Sequence, residues 1–232
     1  MRLDKFLCEM NIGSRSEVKV LLKQGHVTVN DITVTRPELQ IKEDTDRVCF
    51  KGSPLAYRAY EYYMLNKPRG CITATEDRQT KTVMDYLPKG HRNDVFPVGR
   101  LDKDTEGLLL ITNDGDLAHR MLSPKKHVDK TYLVDLEHPL TTDAILKLEQ
   151  GVDIGEKALT QPAKVTLLND TQIHLTIQEG KFHQVKRMLQ AVDNQVIHLK
   201  RITFGPLTLD PDLIAGDCRT LTDEEIKSLY ES

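Results

Sequence analysis

Acidic and basic side chains are mixed in a short segment that begins and ends with glycine, Gly99-Arg100-Leu101-Asp102-Lys103-Asp104-Thr105-Glu106-Gly107. The apolar run Leu108–Ile111 follows directly, and its length suits a buried strand. The pattern predicts a polar loop held against a core, and such loops often carry a protein's chemistry. Because a charged surface turn would look the same, each candidate chemistry has to be tested against the spacing it requires.

Calcium binding is the first chemistry that this spacing could serve. The carboxylates Asp102, Asp104 and Glu106 occupy alternate positions, as at the start of an EF-hand loop. The last ligand position of such a loop would fall on Asn113, which cannot supply a bidentate carboxylate, and Pro97 does not suit the entering helix. We therefore expect no metal ion at this loop.

Glycoside hydrolysis by two carboxylates is the second possibility. It would require Asp102 and Asp104 to face one substrate. We expect these two side chains to point to opposite sides of an extended loop, with Asp104 turned away from any pocket. This chemistry is therefore disfavoured.

The run from Gly99 to Leu109 resembles the catalytic-aspartate motif of the pseudouridine synthases, and is most similar to the bacterial ribosomal branch, the RsuA and RluB type. Members of that branch isomerise uridine within ribosomal RNA. Two later segments fit the resemblance in the same order, Lys130-Thr131-Tyr132 and Gly180–Met188. The resemblance implies that the catalytic carboxylate is Asp102, that the residue stacking on the target base and taking its C5 proton is Tyr132, and that the basic residue beside the carboxylate is Lys186.

The same resemblance implies that the target uridine leaves its stack and that no cofactor or metal takes part. The carboxylate would either attack ribose C1′ or assist loss of the base through a glycal. The turn Asn66–Gly70 also resembles a recurrent loop of this branch. Contacts to RNA are expected from basic and polar residues of the matching segments, namely Lys67, Arg69, Arg100, Lys130, Lys181, His183, Gln184 and Arg187.

The elements before the loop predict a small separate domain. Apolar residues recur at helical spacing from Leu3 to Met10, a capping box Ser14–Glu17 opens a second helix, and strands flank the turn Asn30-Asp31, with a third strand near residues 48–50. This order resembles the small RNA-binding domain named after ribosomal protein S-four. In that family the second helix and the start of the hairpin bind RNA, which here would involve Arg15, Lys19, Lys23 and His26.

Domain boundaries and fold class follow from the change in pattern after this segment. Lys51-Gly52-Ser53-Pro54 is interpreted as a linker, which predicts an RNA-binding domain at residues 1–60 and a catalytic domain at residues 61–232. In the second domain strands outnumber helices and several form hairpins, so we expect an α+β fold with a mainly antiparallel sheet. No G-x-G-x-x-G or P-loop spacing occurs, which argues against a nucleotide cofactor.

Composition is that of an ordinary globular protein of 232 residues, with 39% hydrophobic and 29% charged residues. No apolar stretch suits a membrane span and the first residues do not resemble a signal peptide, so a cytoplasmic location is expected. The cysteines Cys8, Cys49, Cys71 and Cys218 are far apart, which predicts reduced thiols with neither a disulfide framework nor a zinc site.

Net charge alone, at -3, does not favour RNA as a partner. Basic residues nevertheless gather around residues 67–69, 120–130 and 181–201, and acidic residues between 210 and 231, so a basic face can form. We expect a monomeric ribosomal RNA pseudouridine synthase acting on small-subunit (16S) RNA, free or in a partly assembled small subunit. The alternatives are a synthase of large-subunit (23S) RNA and a noncatalytic RNA-binding protein of ribosome assembly.

Overall fold

The computed structural model describes residues 1–55, 57 and 59–232, which form two compact units. The first unit contains Met1–Glu61 together with Pro88–Val95, and the second contains Tyr62–Leu87 and Phe96–Ser232. The sequence division at residue 60 did not foresee that the segment Pro88–Val95 belongs with the first unit. Within that unit Arg92 is 3% exposed, and its Nη2 lies 3.2 Å from a Glu9 carboxylate oxygen.

The first unit has two helices and one four-stranded sheet. Its elements are α1 (Leu3–Glu9), α2 (Arg15–Lys23), β1 (Val27–Val29), β2 (Ile32–Thr33), β3 (Val48–Phe50) and β4 (Ser53–Leu55). The antiparallel sheet has the order β2-β1-β3-β4. The capping box at Ser14 is present: its N–H donates to Glu17 Oε2 at 2.8 Å, and the Glu17 N–H donates to Ser14 Oγ at 3.4 Å.

The predicted linker at residues 51–54 is wrong. Lys51 and Gly52 both have positive φ, 48° and 80°, and form the two-residue turn of a hairpin that joins β3 to β4. Pro54 lies within β4, at the edge of the sheet, where a missing backbone N–H leaves no partner unpaired. The turn residues resemble a linker in the sequence because the strand after them is only three residues long.

The second unit is built on one nine-stranded sheet. Its elements are β5 (Tyr62–Lys67), β6 (Phe96–Pro97), β7 (Glu106–Thr112), α3 (Gly115–Leu122), β8 (Lys130–Leu136), α4 (Thr142–Gln150), β9 (Lys164–Asn169), β10 (Gln172–Ile177), α5 (Gln184–Gln190), β11 (Val196–Phe204), β12 (Leu207–Thr208), β13 (Cys218–Thr220) and α6 (Asp223–Glu231). The order is β13-β5-β7-β11-β8-β10-β9, with β6 paired to β7 and β12 to β11. Strands β7 and β11 are parallel and the other paired strands described are antiparallel, which confirms the predicted α+β class.

Strand β7 is the buried centre of this unit. Its residues Leu108, Leu109, Leu110 and Ile111 are all 0% exposed, as expected for a strand covered on both faces. Helix α5 begins only at Gln184, because His183 has a left-handed conformation with φ 48° that no helical residue adopts. No helix among the residues described is long and apolar enough to cross a lipid bilayer.

Candidate active site

The acidic loop is folded by a turn just before β7 begins. The N–H of Thr105 donates to the carbonyl of Asp102 at 3.1 Å, so Lys103 and Asp104 form the middle of the turn. Thr105 is buried and Asp102 is partly exposed at a cleft. The loop therefore presents one carboxylate to a cleft from the start of a buried strand.

The buried side chain of Lys67 stabilises this loop by hydrogen bonds to its backbone. Its side chain is 0% exposed, and burial lowers the pKa of its ammonium group. The ammonium donates hydrogen bonds to four backbone carbonyls, those of Thr105 (2.8 Å), Asp102 (2.9 Å), Pro68 (3.2 Å) and Lys103 (3.4 Å). The sequence interpretation gave Lys67 a contact to RNA, but its ammonium is occupied inside the protein and is not at the surface.

Gly107 allows β7 and β11 to come together behind the loop. It pairs in register with Arg201 and has φ +101°, and an added Cβ would lie 2.2 Å from the Arg201 carbonyl oxygen. Arg201 is 2% exposed, and its Nε donates to the carbonyl of Leu108 at 2.8 Å. Only glycine fits this close parallel approach, which fixes the loop relative to β11.

Lys186, on the first turns of α5, reaches the loop and contacts two carboxylates. Its Nζ lies 3.0 Å from Asp102 Oδ2 and 2.6 Å from Asp104 Oδ1. The Nε2 of His183 lies 3.6 Å from Asp102 Oδ1. The expectation that Asp104 is turned away was wrong, because residues two apart in an extended chain share a face, and here the turn brings both carboxylates to one ammonium.

The charges of this group shift two of its pKa values. Partial burial would raise the pKa of Asp104, but the hydrogen bond and positive charge of Lys186 outweigh it, so the pKa is lowered. Partial burial likewise opposes the charge on Lys186, yet its hydrogen bonds to Asp104 and Asp102 raise its pKa above the ordinary value. Lys186 and Asp104 are therefore an ion pair at neutral pH.

Tyr132 forms another wall of the same cleft. It lies on β8, in register with Leu175 of β10 and Arg201 of β11, and is 8% exposed. The cleft is lined by Arg100, Leu101, Asp102, Thr105, Tyr132, Ile177, Gly180, Lys181, His183, Gln184, Val185, Lys186 and Leu199. A flat aromatic ring and aliphatic side chains thus face a carboxylate and a lysine across one opening.

The other predicted RNA contacts of this unit divide into exposed and engaged side chains. Arg69, Arg100 and His183 are exposed, and the side chain of His183 is 42% exposed at the rim. Lys181 is partly exposed, with Nζ 3.3 Å from a Glu179 oxygen. These four can reach a ligand outside the cleft.

Gln184 and Arg187 are engaged within the protein instead. Gln184 is 4% exposed; its Oε1 accepts from the Lys181 N–H at 2.8 Å and its Nε2 donates to Glu179 at 2.7 Å. Arg187 pairs with Glu156 at 2.9 Å and donates to the carbonyls of Phe182 and Ile154. These positions do not match the predicted contacts to RNA, because the polar atoms of each side chain form hydrogen bonds within the protein near the start of α5.

Lys130 is also buried, at 9% exposure, with its ammonium donating to the Val128 carbonyl at 2.9 Å and lying 5.7 Å from the centre of the Phe204 ring. Burial, followed by the charge of Arg201, lowers its pKa to about 8. Its predicted contact to RNA does not match this inward position.

The candidates of the first unit lie on and just after α2. Arg15, Lys19 and Lys23 are exposed, and His26 is half-buried. Among the residues described, no ion pair involves the side chains of Arg15, Lys19 or Lys23, so their charges are available to a polyanion.

The structure adds two residues to the predicted site. Asp104 contacts Lys186 together with Asp102, and Phe182, immediately before His183, is 74% exposed at the rim. The acidic spacing singled out Asp104 but gave its direction wrongly, and nothing in the local pattern distinguishes Phe182 from a helix residue. Among the residues described, no group of three or more His, Cys, Asp or Glu side chains is placed to hold a metal ion.

Comparisons with known proteins agree with this geometry. A family model described as RNA pseudouridylate synthase matches residues 61–191, and an S4 domain model matches residues 1–48. The Bacillus subtilis protein named "Uncharacterized RNA pseudouridine synthase YtzG" is 49% identical over 100% of this chain and 99% of its own length. Proteins named "Ribosomal small subunit pseudouridine synthase A" are similar over 99% of this chain: that of Yersinia pestis is 44% identical over 98% of its length, and that of Escherichia coli 42% over 100%.

A solved structure described as "Crystal structure of pseudouridylate synthase" is 38% identical, covers 99% of both chains and has a TM-score of 0.71. The family match contains Asp102, Tyr132 and Lys186, the three residues that the fold brings to one cleft. The resemblance drawn from the sequence is thereby confirmed. The chain belongs to the RNA pseudouridylate synthase family, with an S4 domain within its first 48 residues.

Proposed function

We propose that this protein converts one uridine of small-subunit (16S) ribosomal RNA into pseudouridine. The observation that carries the proposal is the meeting of Asp102, Tyr132 and Lys186 in one cleft, although they come from three separate segments. The relatives from Yersinia pestis and Escherichia coli, which carry the small subunit in their names and align over nearly the whole chain, favour that RNA over large-subunit RNA.

Asp102 is the proposed catalytic carboxylate. In the reaction the bond from ribose C1′ to N1 breaks, the uracil turns, and a bond from C1′ to C5 forms. N1 ends with a proton and C5 loses one, so no atom is gained or lost. Attack on C1′ and assistance of a glycal route both use the same carboxylate. Lys186, 3.0 Å away, fixes the position of that carboxylate and offsets its charge.

Tyr132 is the proposed stacking partner of the target base and the group that takes the C5 proton. Its ring lies on a cleft wall with Ile177 and Leu199, and apolar walls would retain the free uracil while it turns. The uridine has to leave its stack to enter a cleft of this kind. No cofactor is part of the proposed reaction. We further propose that a cytoplasmic monomer acts, on RNA that is free or partly assembled with ribosomal proteins.

Mapping of pseudouridines tests this function in cells that lack the protein. We expect one position of small-subunit RNA to lose its pseudouridine, to regain it with the wild-type gene, and not with Asp102→Asn. Asp170→Asn, which changes an exposed carboxylate in the turn between β9 and β10, is the control and should restore it. If the pseudouridine is lost from large-subunit RNA instead, that RNA is the substrate. If no pseudouridine is lost from either RNA, the noncatalytic alternative is favoured.

Purified protein gives the matching test of chemistry. Asp102→Asn keeps the size of the side chain and removes its charge, so RNA binding should persist while tritium release from C5-labelled uridine falls below detection. An Asp102→Asn variant with full turnover would remove Asp102 from the reaction.

A further inference from the structure

Phe182 is 74% exposed although its two neighbours, Lys181 and His183, both line the cleft. An aromatic ring left in water forgoes the stabilisation that burial would give it, and single exposed apolar residues are common on surfaces. This one differs in its place, because it stands directly beside the proposed reaction site.

The ring of Phe182 is held in a defined position. One of its faces stacks on the imidazole of His183, with ring centres 3.8 Å apart and planes inclined by 19°. The backbone carbonyl of Phe182 accepts a hydrogen bond from Arg187 Nη1 at 3.0 Å, and the same nitrogen pairs with Glu156 at 2.9 Å. The two rings therefore form a fixed pair whose outer face is open.

The surroundings of this ring pair are basic. Arg100 and Lys181 line the cleft beside it, and His183 reaches Asp102 at 3.6 Å through Nε2. Aromatic faces next to cations are the arrangement by which proteins hold single-stranded nucleic acid, with stacking for the bases and positive charge for the phosphates. A protein partner would require an apolar groove, and a lone ring between charged side chains offers none.

We propose that Phe182 is a stacking platform for the nucleobase next to the target uridine in the RNA strand. This inference rests on the proposed function. When the uridine turns into the cleft, the neighbouring base loses a stacking partner. The face of Phe182 that does not stack on His183 is open and would replace that partner. Because every base has an aromatic face, the platform supports strand position and not sequence.

Three variants of the full-length protein test the platform. Phe182→Leu keeps an apolar side chain and removes the aromatic face, Phe182→Tyr keeps the face, and Ile214→Ala removes another exposed apolar side chain of the same unit, 68% exposed. Binding is measured with a short oligouridylate and with a small-subunit ribosomal RNA transcript over a series of salt concentrations, and turnover by tritium release.

We expect Phe182→Leu to weaken binding about 10-fold at every salt concentration, since stacking does not depend on counterions. The slope of log affinity against log salt should not change. Phe182→Tyr should stay within about 2-fold of wild type and Ile214→Ala should match it, with unaltered thermal unfolding for all three because the replaced side chains are exposed.

Wild-type affinity in Phe182→Leu, an equal loss in Phe182→Tyr, or a changed salt slope would overturn the platform. If the wild-type protein forms no pseudouridine, the proposed function fails, and the binding measurements still decide the role of Phe182. If wild type is active and Phe182→Leu binds and turns over equally well, only the platform fails.

Discussion

Lys186 serves two carboxylates, and the closer one is outside the cleft. Its Nζ lies 2.6 Å from Asp104 and 3.0 Å from Asp102, while the Asp104 side chain is 56% exposed and that of Asp102 27%. A lysine on a long flexible stem is poorly fixed by a single point contact. The second carboxylate limits the positions of the ammonium, so we expect Asp104 to act as a positioning residue for Lys186.

Replacing Asp104 by Asn should therefore reduce turnover without abolishing it. Losing one charge-assisted hydrogen bond leaves Lys186 with Asp102 alone and less well placed, and we expect kcat to fall about 10-fold with little change in RNA affinity. Asp104→Glu should recover part of the loss, and Asp170→Asn is the matched control. Tritium release and binding are measured in parallel. If Asp104→Asn is fully active, the positioning role is excluded; if it is inactive while Asp102→Asn is active, the chemistry has been placed on the wrong carboxylate.

The position of the loop depends on two residues that do not line the cleft. Lys67, from the end of β5, binds carbonyls on both sides of the turn, and Gly107 lets β7 lie against β11. Both residues lie in segments that the family resemblance picked out, yet neither faces the cleft. They determine where Asp102 is held.

Lys67→Met should loosen the loop. The carbonyls of Asp102, Thr105, Pro68 and Lys103 would lose the ammonium as a donor. The carbonyls of Asp102 and Lys103 keep the N–H groups of Thr105 and Gly70, so a loss of about 1–3 kcal/mol in the free energy of unfolding is expected. Turnover should fall more than RNA affinity. Urea unfolding and tritium release measure the two effects, with the exposed Lys81→Met as control. Stability and turnover like those of wild type would show that the hydrogen bonds of Lys67 do not hold the loop.

The lowered pKa of Lys130, on β8, predicts that the stability of the protein depends on pH. Its pKa is about 8 in the folded protein, against an ordinary value of 10.5, because burial disfavours its charge. Between these two values the unfolded chain binds more protons than the folded one, so stability rises with pH by up to about 1.4 kcal/mol per pH unit.

The difference in unfolding free energy between wild type and Lys130→Met should accordingly shift in favour of wild type from pH 8 to pH 10.5. Lys164→Met, on the exposed strand β9, controls for the loss of a lysine. Urea unfolding at several pH values gives the comparison. A difference that stays constant across this range, or that moves against wild type, would mean that Lys130 keeps its charge when folded.

Elements whose signals lie within a few residues could be predicted from the sequence. The capping box Ser14–Glu17, the hairpin turn at Asn30-Asp31 and the buried strand after the acidic loop are all found where expected. In each, the residues that define the element are neighbours in the chain. Local hydrogen bonds and alternation therefore suffice.

Features that depend on distant partners could not be predicted in this way. The burial of Lys67 and Lys130 and the direction of Asp104 are set by packing, and Lys186 is 84 residues from Asp102 in the chain. The start of α5 at Gln184 has a similar cause, since the left-handed turn at His183 is held by Arg187, which contacts Glu156 and the Phe182 carbonyl. The family resemblance supplied the pairing of Asp102 with Lys186, which periodicity alone would not have given.

Exposed basic residues occur in both units of the molecule. The exposed bases Arg15, Lys19 and Lys23 are on the first unit, and the exposed Arg69 and Arg100 belong to the second. Acidic residues near the end of the chain are partly neutralised locally, since Arg219 contacts Asp210 at 2.7 Å and Glu225 at 2.8 Å. RNA binding is therefore expected to be strongly dependent on salt despite a net charge of -3.

Removing the first 60 residues should separate this binding from the chemistry. The second unit has its own buried core around Met64, Leu110 and Phe204, so residues 61–232 should fold and keep residual turnover. The fragment lacks Arg15, Lys19 and Lys23, and each lost phosphate contact lowers the salt slope by about 0.7–0.9, so we expect a slope smaller by about 2 and weaker binding.

A full-length chain with all three residues changed to Gln is the matched control, because it keeps the first unit folded while removing its charges. It should show the reduced slope of the fragment with turnover near that of wild type at saturating RNA. The segment Pro88–Val95 stays in the fragment without Glu9, which together with Asp94 pairs with Arg92, so some loss of stability is expected. A fragment that is unfolded by circular dichroism, or a triple variant with the wild-type salt slope, would show that RNA binding and catalysis are not divided between the two units in this way.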